Sequence, residues 1–357
     1  MKILHLTNVD AAGGTNTNCL QFIQASAADN SLVVLDEPGE MQVRWLRARI
    51  KVTYLRILRG RRAAFARVLA GTVADVRPDV VVLWGCIRVP LIRYAIRESG
   101  VVLGIHLGNP NRGDWWSDGL LHAQGSILPS NVRTRLFSCS EYVRSSFSAG
   151  YWKRFENRVI YNPIEVPTDL PAADWHHPDA PPCLGMVARL DCIKDHATLL
   201  RAVGLLRDQG AGVTLELVGD GPERVASEKL VAQLDLGSAV RFLGYRPDVL
   251  SCLSRWVLFV YSTTANEGLG NSVIEALAAG VPCVVSDLPM MREIDAGRGL
   301  MSFFRAGDPV DCAEKILAAL RDRELRERVS LAGRRHVEKR YAPERYCMQL
   351  TEYLLAP

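Results

Sequence analysis

The chain has 357 residues, of which 48% are hydrophobic and 23% are charged. At roughly 150 residues per domain, this ordinary globular composition predicts about two domains and excludes a disordered, collagen-like or disulfide-dependent small protein. The net charge of +4 is too small to indicate wholesale nucleic-acid binding.

Short apolar runs alternate with helical patterns, which is typical of βαβ units and parallel sheets. The strands predicted in the first half are 2–8, 31–35, 80–84, 101–106, 136–139 and 158–161. The pattern restarts in the second half with strands predicted at 183–187, 213–218, 240–243, 256–261 and 282–286. We therefore expect an α/β protein with two doubly wound domains.

A basic segment over residues 41–74 carries nine Arg or Lys and no acidic residue. A helical projection gathers its apolar residues on one side, so we predict an amphipathic helix. Its basic face would be either a solvated surface or a surface that contacts anionic lipid. RNA binding is disfavoured because aromatic stacking residues are lacking. We favour the lipid contact, and the residues predicted to face the membrane are Arg44, Arg47, Lys51, Arg56, Arg59 and Arg62.

The boundary between the domains is expected at a proline-rich stretch. Residues 163–182 contain six prolines, which neither a helix nor an interior strand accommodates. We therefore predict a first domain over 1–163, a linker over 164–182 and a second domain over 183–342. The segment at about 343–357 is predicted to form a helix that packs back on the first domain.

The nine cysteines include no C-x-x-C pair and no Cys/His cluster with metal-ligand spacing. The first residues lack the pattern of a signal peptide, and no apolar run reaches the roughly 18 to 20 residues that span a bilayer. These features predict free thiols, a cytoplasmic location and no metal site.

Two cations follow the strand predicted at 183–187. Arg189 and Lys194 precede an amphipathic helical pattern, so they would leave the sheet at its carboxyl edge, where doubly wound folds bind ligands. A guanidinium and an ammonium suit a diphosphate. The alternative is that they only pair with Asp191 and Asp195.

The segment from Glu267 to Glu275 reads Glu-Gly-Leu-Gly-Asn-Ser-Val-Ile-Glu. A glycine-rich turn before a helix that opens near Asn271 or Ser272 would present free backbone N–H groups to a phosphate. Two structural alternatives stay open. Ser272 and Glu275 fit a capping box that closes the helix N-terminus, and Glu267 could be a surface loop residue.

Together these segments resemble the retaining glycosyltransferases of family 4, which have the GT-B fold and two glutamates in an E-x7-E spacing. The matching pieces are Gly13-Gly14, Asn162-Pro-Ile, Arg189 with Lys194, residues 218–222, residues 242–244 and Glu267 with Glu275. The resemblance is strongest from about 183 to 294. It implies two Rossmann-like domains that face each other across a cleft, with the acceptor side in the first and the donor nucleotide-sugar site in the second.

The resemblance also implies roles for the matching residues. Arg189 and Lys194 would bind the donor diphosphate, Glu275 the ribose, and Glu267 would face the sugar. The catalytic residues are then Glu267, His106, Arg189 and Lys194. The donor-binding residues are Gly13, Gly14, Arg189, Lys194, Tyr245, Gly270, Asn271, Ser272 and Glu275.

The activity implied by the resemblance is transfer of a sugar, with retention, from a nucleotide-diphosphate donor to a hydroxyl. We expect a UDP-sugar and a lipid-linked acceptor in cell-surface glycan or polysaccharide assembly, with the protein peripheral on the inner face of the membrane. No Asp-x-Asp motif occurs, so neither a metal nor a cofactor is expected. The alternatives are a soluble small-molecule acceptor and a non-catalytic GT-B scaffold. A nicotinamide dehydrogenase is disfavoured because no G-x-G-x-x-G follows the first strand.

Overall fold

The computed structural model describes residues 1–11, 13–55, 62–86, 88–111, 120–121, 123, 131–167 and 181–356. The chain divides into two compact units. Unit 1 comprises Met1–Pro163 and Pro343–Pro357, and unit 2 comprises Ile164–Ala342. Each unit contains a parallel sheet whose strands are connected through helices, so the predicted pair of doubly wound α/β domains is confirmed. Among the described helices, none is both long enough and apolar enough to cross a membrane.

The described strands of unit 1 form one sheet in the order β3-β2-β1-β4-β5-β6-β7. They are β1 (Lys2–Thr7), β2 (Asp29–Val34), β3 (Lys51–Tyr54), β4 (Val80–Trp84), β5 (Val102–Leu107), β6 (Thr134–Ser138) and β7 (Glu156–Val159). The helices are α1 (Gly14–Ala25), α2 (Gln42–Arg47), α3 (Arg62–Val76), α4 (Val89–Ala95), α5 (Glu141–Ser146) and the C-terminal α13 (Pro343–Leu355), with a 3-10 turn at Gly150–Arg154. Every residue of β4 is buried, as expected for a strand covered on both faces of a parallel sheet.

The C-terminal helix α13 completes the core of unit 1. Tyr346 packs edge-to-face on Phe22 of α1, with the ring centroids 6.1 Å apart. Arg135 on β6 donates hydrogen bonds to the backbone carbonyls of Tyr353 and, at 2.9 Å, Ala356. Buried apolar surface and a buried guanidinium that binds the end of the helix therefore hold α13 on this sheet.

The prediction of one amphipathic helix in the basic segment is wrong. The segment contains the short helix α2, the edge strand β3 and then the start of α3. Trp45, which lies opposite the predicted apolar side, is the residue that α2 buries, whereas Leu46 is 66% exposed. The β-branched Val52 and Thr53 favour the strand, which pairs with β2 and breaks the helical period.

The described strands of unit 2 form a second parallel sheet in the order β10-β9-β8-β11-β12-β13. They are β8 (Cys183–Val187), β9 (Thr214–Val218), β10 (Val240–Gly244), β11 (Leu258–Tyr261), β12 (Cys283–Ser286) and β13 (Met301–Phe304). The helices are α6 (His196–Asp208), α7 (Arg224–Gln233), α8 (Leu250–Leu253), α9 (Asn271–Ala278), α10 (Pro289–Asp295), α11 (Pro309–Arg321) and α12 (Arg323–Arg340). The sequence did not predict β13, because Met-Ser-Phe-Phe is a short run that contains no β-branched residue.

A tryptophan lies directly on the middle of the second sheet. A Cβ at Gly185 on β8 would overlap the indole ring of Trp256. The indole N–H is bonded at 2.9 Å to the buried carboxylate of Glu216, which also accepts a hydrogen bond from Arg255 at 3.0 Å. The ring therefore has no room to move away from a new methyl group without breaking a buried hydrogen bond.

We expect Gly185→Ala to lower the free energy of unfolding by about 3 kcal/mol, the upper end for overpacking a core. Gly212→Ala is the matched control, because a Cβ there meets no atom within 4 Å. Urea titration followed by circular dichroism measures both. An equal and small effect of the two substitutions would show that Trp256 does not hold its position as the structure indicates.

Candidate active site

The predicted donor-binding residues of unit 2 follow the carboxyl ends of three strands of its sheet. Arg189 and Lys194 follow β8, Tyr245 follows β10, and the segment from Glu267 to Asn271 follows β11. Carboxyl ends of parallel strands meet at one edge of the sheet, which is where doubly wound folds bind ligands.

The loop after β8 is locked against the loop after β9. The Leu190 N–H donates to the Asp220 carbonyl at 3.0 Å, and the Glu223 N–H donates to the Leu190 carbonyl at 2.9 Å. Gly219 and Gly221 have φ of 133° and 159°, and a Cβ on either would collide with a backbone carbonyl of the neighbouring loop. Only glycine fits this contact, so the two glycines fix the backbone that carries Arg189.

Lys194, Tyr261 and Glu267 form a closed hydrogen-bonded group. The Lys194 Nζ donates to the Tyr261 hydroxyl at 2.7 Å and also to Glu267 Oε2. The Tyr261 hydroxyl in turn donates to Glu267 Oε2 at 2.7 Å, and the Gly268 N–H donates to Oε1 at 3.1 Å. The Glu267 side chain is 8% exposed and that of Lys194 is 18% exposed. Glu267 is therefore a buried residue, and the alternative of a surface loop residue is wrong.

The ion pair stays charged despite its burial. Burial alone would raise the pKa of Glu267, but the charge of Lys194 and the hydrogen bonds from Lys194, Tyr261 and Gly268 bring that pKa below its ordinary value. Burial alone would lower the pKa of Lys194, but Tyr261 and Glu267 raise it above its ordinary value. Burial and the Glu267 charge also raise the pKa of the Tyr261 phenol. At neutral pH the group thus consists of an ammonium, a carboxylate and a neutral phenol.

Arg189 makes an aspartate pair that the structural alternative included, whereas Lys194 pairs with Glu267 and not with Asp195. Arg189, whose side chain is 64% exposed, pairs with Asp191 at 2.5 Å. Asp195 instead caps α6 by accepting a hydrogen bond from the Thr198 N–H at 3.3 Å. Asp191 also accepts from the Lys194 N–H at 3.3 Å, so it orders the loop that carries both cations.

Helix α9 begins at Asn271, with Gly270 as its N-cap at a φ of 88°. The capping box is excluded, because Ser272 lies inside the first turn rather than at the N-cap. A Cβ on Gly270 would crowd the Met291 methyl group, so the buried Met291 of α10 forms an apolar wall behind this turn. The half-buried Glu275 lies one turn further along the helix.

Tyr245 directly follows the end of β10 and is 49% exposed. The carbonyl of the preceding residue, Gly244, accepts a hydrogen bond from the Gly219 N–H at 2.8 Å.

In unit 1, His106 is the last but one residue of β5 and is fully buried. Its ring lies 5.3 Å, between centroids, from both Trp84 and Phe137. Nε2 lies 3.4 Å from Asn162 Oδ1, and Nδ1 has no hydrogen-bond partner within the part of the chain that the structure describes. A Cβ at Gly108 would crowd both this ring and the Thr15 hydroxyl, so Gly108 keeps the ring edge open. Burial lowers the pKa of His106 to about 4, and the ring is therefore neutral at pH 7.

The remaining residues predicted in unit 1 are exposed or half-buried, or they lie outside the described residues. Gly13 and Gly14 are exposed at the start of α1, and Gly13 has extended backbone at a φ of 176°. Among the predicted membrane-facing residues Arg47, Lys51 and Arg62 are exposed, and Arg44 is half-buried with a 3.2 Å hydrogen bond to Thr17. Arg56 and Arg59 lie outside the described residues, as does most of the predicted linker.

A buried histidine on β1 makes stability depend on pH. The Trp84 indole donates to His5 Nδ1 at 3.1 Å, so Nε2 carries the ring proton and donates to Asn30 Oδ1 at 3.0 Å. Burial is the main cause that lowers the pKa of His5 to about 4. In the unfolded chain a histidine titrates near pH 6.5, so the unfolded state takes up the proton first as the pH falls.

We therefore expect His5 to contribute stability fully above about pH 6.5 and to lose up to about 3 kcal/mol of it between pH 6.5 and pH 4. His106 and His196 add to the same slope, because burial also lowers their pKa to about 4. Urea unfolding at pH 7.5 and pH 4.5 measures the slope. His5→Gln should reduce the difference between the two pH values, and an unchanged difference would contradict a neutral His5.

The comparisons with known proteins agree with this architecture. Residues 172–336 match the family model described as "Glycosyl transferases group 1". The chain is 36% identical over 135 residues to the putative glycosyltransferase EpsF of Bacillus subtilis, covering 38% of this chain and 35% of EpsF. It is 35% identical over 187 residues to the lipopolysaccharide core biosynthesis glycosyltransferase LpsE of Rhizobium meliloti, covering 51% of this chain and 52% of LpsE. The chain thus spans about a third to a half of these relatives.

Among solved structures, the chain is similar to Anabaena HepE in complex with UDP and glucose. The TM-score is 0.86 over 100% of both chains, at 19% identity. This similarity and the two parallel-sheet units give the chain the GT-B fold. Within the described residues, no group of three or more His, Cys, Asp or Glu has the arrangement of a metal site.

Sequence reasoning did not find Tyr261 and Asp191 beside the predicted residues of unit 2, or Gly108 beside His106 in unit 1. Tyr261 is the last residue of a correctly predicted strand, and a polar group at that position is a usable signal because strand ends meet ligands. Asp191 entered only as an alternative partner. Gly108 carries no signal in one sequence, because its importance comes from a contact with a distant ring.

Proposed function

We propose that the protein is a retaining glycosyltransferase that uses a nucleotide-diphosphate sugar, most simply a UDP-sugar. The observation that carries this proposal is the buried group of Lys194, Tyr261 and Glu267 at the carboxyl edge of the sheet in unit 2. It belongs to the segment that matches the glycosyl transferase family model. The similar HepE structures in complex with UDP, with UDP and glucose, and with UDP-glucose support the choice of nucleotide.

In this proposal the donor diphosphate contacts Arg189, Lys194 and the N-terminus of α9. Gly270, Asn271 and Ser272 contribute backbone groups at the start of that helix, where the positive end of the helix dipole favours an anion. Glu275 accepts hydrogen bonds from the ribose, and the backbone near Tyr245 meets the base. The role of Gly13 and Gly14 in unit 1 as donor-binding residues stays a prediction.

The reaction we propose is departure of the nucleotide diphosphate and attack of an acceptor hydroxyl on the same face of the sugar. The bond from the anomeric carbon to the diphosphate oxygen breaks, the bond to the acceptor oxygen forms, and the acceptor proton passes to the leaving phosphate. Arg189, Lys194 and the dipole of α9 stabilise the negative charge that grows on the diphosphate. Glu267 faces the sugar in this proposal, and the role of His106 in unit 1 stays a prediction. The proposal requires neither a metal nor a protein nucleophile.

For the acceptor we propose a lipid-linked glycan, with the protein peripheral on the inner face of the cell membrane. Exposed apolar and basic side chains occur together on and after α2: Val43 and Leu46 are 54% and 66% exposed, and Arg47, Arg49 and Lys51 are exposed beside them in sequence. Basic residues near anionic lipid contribute about 1 kcal/mol each. LpsE acts in lipopolysaccharide core biosynthesis, which supports an acceptor of this kind.

Charge reversal tests the membrane contact. We expect the wild-type protein to co-sediment with vesicles that contain 30% phosphatidylglycerol (roughly the anionic content that attracts basic surfaces) and the triple variant Arg47→Glu, Lys51→Glu, Arg62→Glu to stay in the supernatant. Reversal of Arg207, Arg323 and Lys315 in unit 2 is the matched control. If the wild-type protein does not co-sediment with these vesicles, the result would favour the alternative of a soluble acceptor.

A thermal-shift panel of UDP, GDP, ADP and TDP tests the donor site. A ligand at 100 times its Kd adds about 2.7 kcal/mol of stability, which gives a visible shift. We expect UDP to act selectively and Glu275→Ala to reduce the shift. No shift with any nucleotide would favour the non-catalytic scaffold.

A further inference from the structure

Tyr261 is a buried hydroxyl between the two charged groups of the candidate site. It accepts a hydrogen bond from Lys194 and donates one to Glu267, each at 2.7 Å. The side chain is 1% exposed, and its ring stacks on Phe259 with a centroid distance of 6.0 Å. The phenol is therefore fixed by packing and not by the ion pair alone.

The ammonium of Lys194 has three N–H donors, and two of them are used by Tyr261 and Glu267. A diphosphate would bring a second, stronger anion to the same ammonium. Two anions that share one cation weaken each other's pairing, so phosphate binding would weaken the contact of Lys194 with Glu267. A carboxylate that loses its counter-charge in a buried site must keep its other donors or take up a proton.

The donors that remain on Glu267 are the Tyr261 hydroxyl at Oε2 and the Gly268 N–H at Oε1. We propose that Tyr261 is a positioning residue that keeps the Glu267 carboxylate ionised and oriented while Lys194 contacts the phosphates of a nucleotide sugar. This inference rests on the proposed function and adds to it the group that holds Glu267 during donor binding. Lys194, from the loop before α6, and Tyr261, from β11, are the titratable groups that face Glu267 among the described residues.

The first test does not depend on enzymatic activity. Lys194→Met imitates the departure of the ammonium, and the pKa of Glu267 is then followed by NMR of 13C-labelled glutamate carboxylates, assigned with Glu267→Gln. Adding Tyr261→Phe to Lys194→Met should raise the pKa of Glu267 by about one unit or more, because a hydrogen bond to the charged form is lost. Tyr346→Phe is the matched control, since that phenol is also buried but has no hydrogen-bond partner within the described residues.

The second test uses turnover of the sugar nucleotide that the thermal-shift panel identifies. Tyr261→Phe should lower kcat about 10- to 100-fold, leave the KM for the donor within about twofold, and move the acid limb of the kcat profile to higher pH. A purely structural tyrosine would change the yield of folded protein without moving this limb.

The two tests separate the two hypotheses. If the pKa of Glu267 in the Lys194→Met background does not respond to Tyr261→Phe, the positioning role of Tyr261 is overturned whatever the activity. If the pKa of Glu267 responds but the wild-type protein neither binds UDP nor transfers sugar, the proposed function is wrong. The positioning of the Glu267 carboxylate by Tyr261 is then still supported. An unchanged kcat and acid limb in an active enzyme would also overturn the inference.

Discussion

Replacing Glu267 with glutamine is expected to lower the rate of sugar transfer by about 100- to 1000-fold. The amide keeps the shape of the side chain, but its single oxygen can accept from either Tyr261 or Gly268 and not from both, and it carries no charge where the sugar is proposed to react. We expect the affinity for UDP to stay within about threefold, because Lys194 loses its internal partner and remains available to phosphate. Initial rates and isothermal titration measure the two quantities separately.

A second buried glutamate in unit 2 provides the control for this substitution. Glu216 on β9 is as buried as Glu267 and accepts hydrogen bonds from Trp256 and Arg255. Glu216→Gln should lower the free energy of unfolding by about 1 to 3 kcal/mol and leave turnover per folded molecule unchanged. Full turnover by Glu267→Gln would remove Glu267 from the reaction.

Replacing both Arg189 and Lys194 with methionine is expected to weaken UDP binding by at least about 100-fold, since each charge-assisted contact contributes about 1.5 to 3 kcal/mol. The two single variants should differ in stability. Arg189 is exposed, so Arg189→Met changes the free energy of unfolding by less than about 1 kcal/mol. Lys194→Met leaves Glu267 buried without its cation and should cost about 3 to 5 kcal/mol.

These differences make Arg189→Met the cleaner test of the phosphate contact, because its effect on affinity is not mixed with unfolding. Lys315→Met is the matched control: it removes an exposed ammonium of unit 2 whose partner, Asp311, lies 3.9 Å away. Isothermal titration with UDP and urea unfolding are the measurements. A double variant that binds UDP as the wild type does would contradict the proposed diphosphate site.

The predictable parts of the fold are those in which local pattern and burial agree. The runs at Val80–Trp84 and Cys183–Val187 have the observed bounds, because an apolar strand in a parallel sheet is buried on both faces and ends where polar residues begin. The prediction of a helix in the basic segment was wrong because local pattern and burial disagree there. Its charges mask the strand Lys51–Tyr54, which lies at the sheet edge, where alternate residues stay exposed and the pattern is weak.

The candidate site was predictable only as far as residue type and strand order allow. Arg189, Lys194 and Glu267 could be named because charged groups after strand ends meet at one edge. The partners could not be assigned, since either of two nearby aspartates was as available to Lys194 in the sequence as Glu267, 73 residues away. Pairing depends on how loops after β8 and β11 pack, and a single sequence contains no measure of that distance.

The position of α13 in unit 1 has a consequence for synthesis on the ribosome. Unit 2 is one continuous stretch, Ile164–Ala342, and its sheet can close as soon as that stretch has emerged. Unit 1 is translated first, yet Tyr346, Leu350 and Leu354 of its core are among the later residues made. The apolar surface of the nascent first domain over Phe22 and Phe137 therefore stays exposed until the second domain has been synthesised. During that interval the chain is prone to aggregation and open to binding by chaperones.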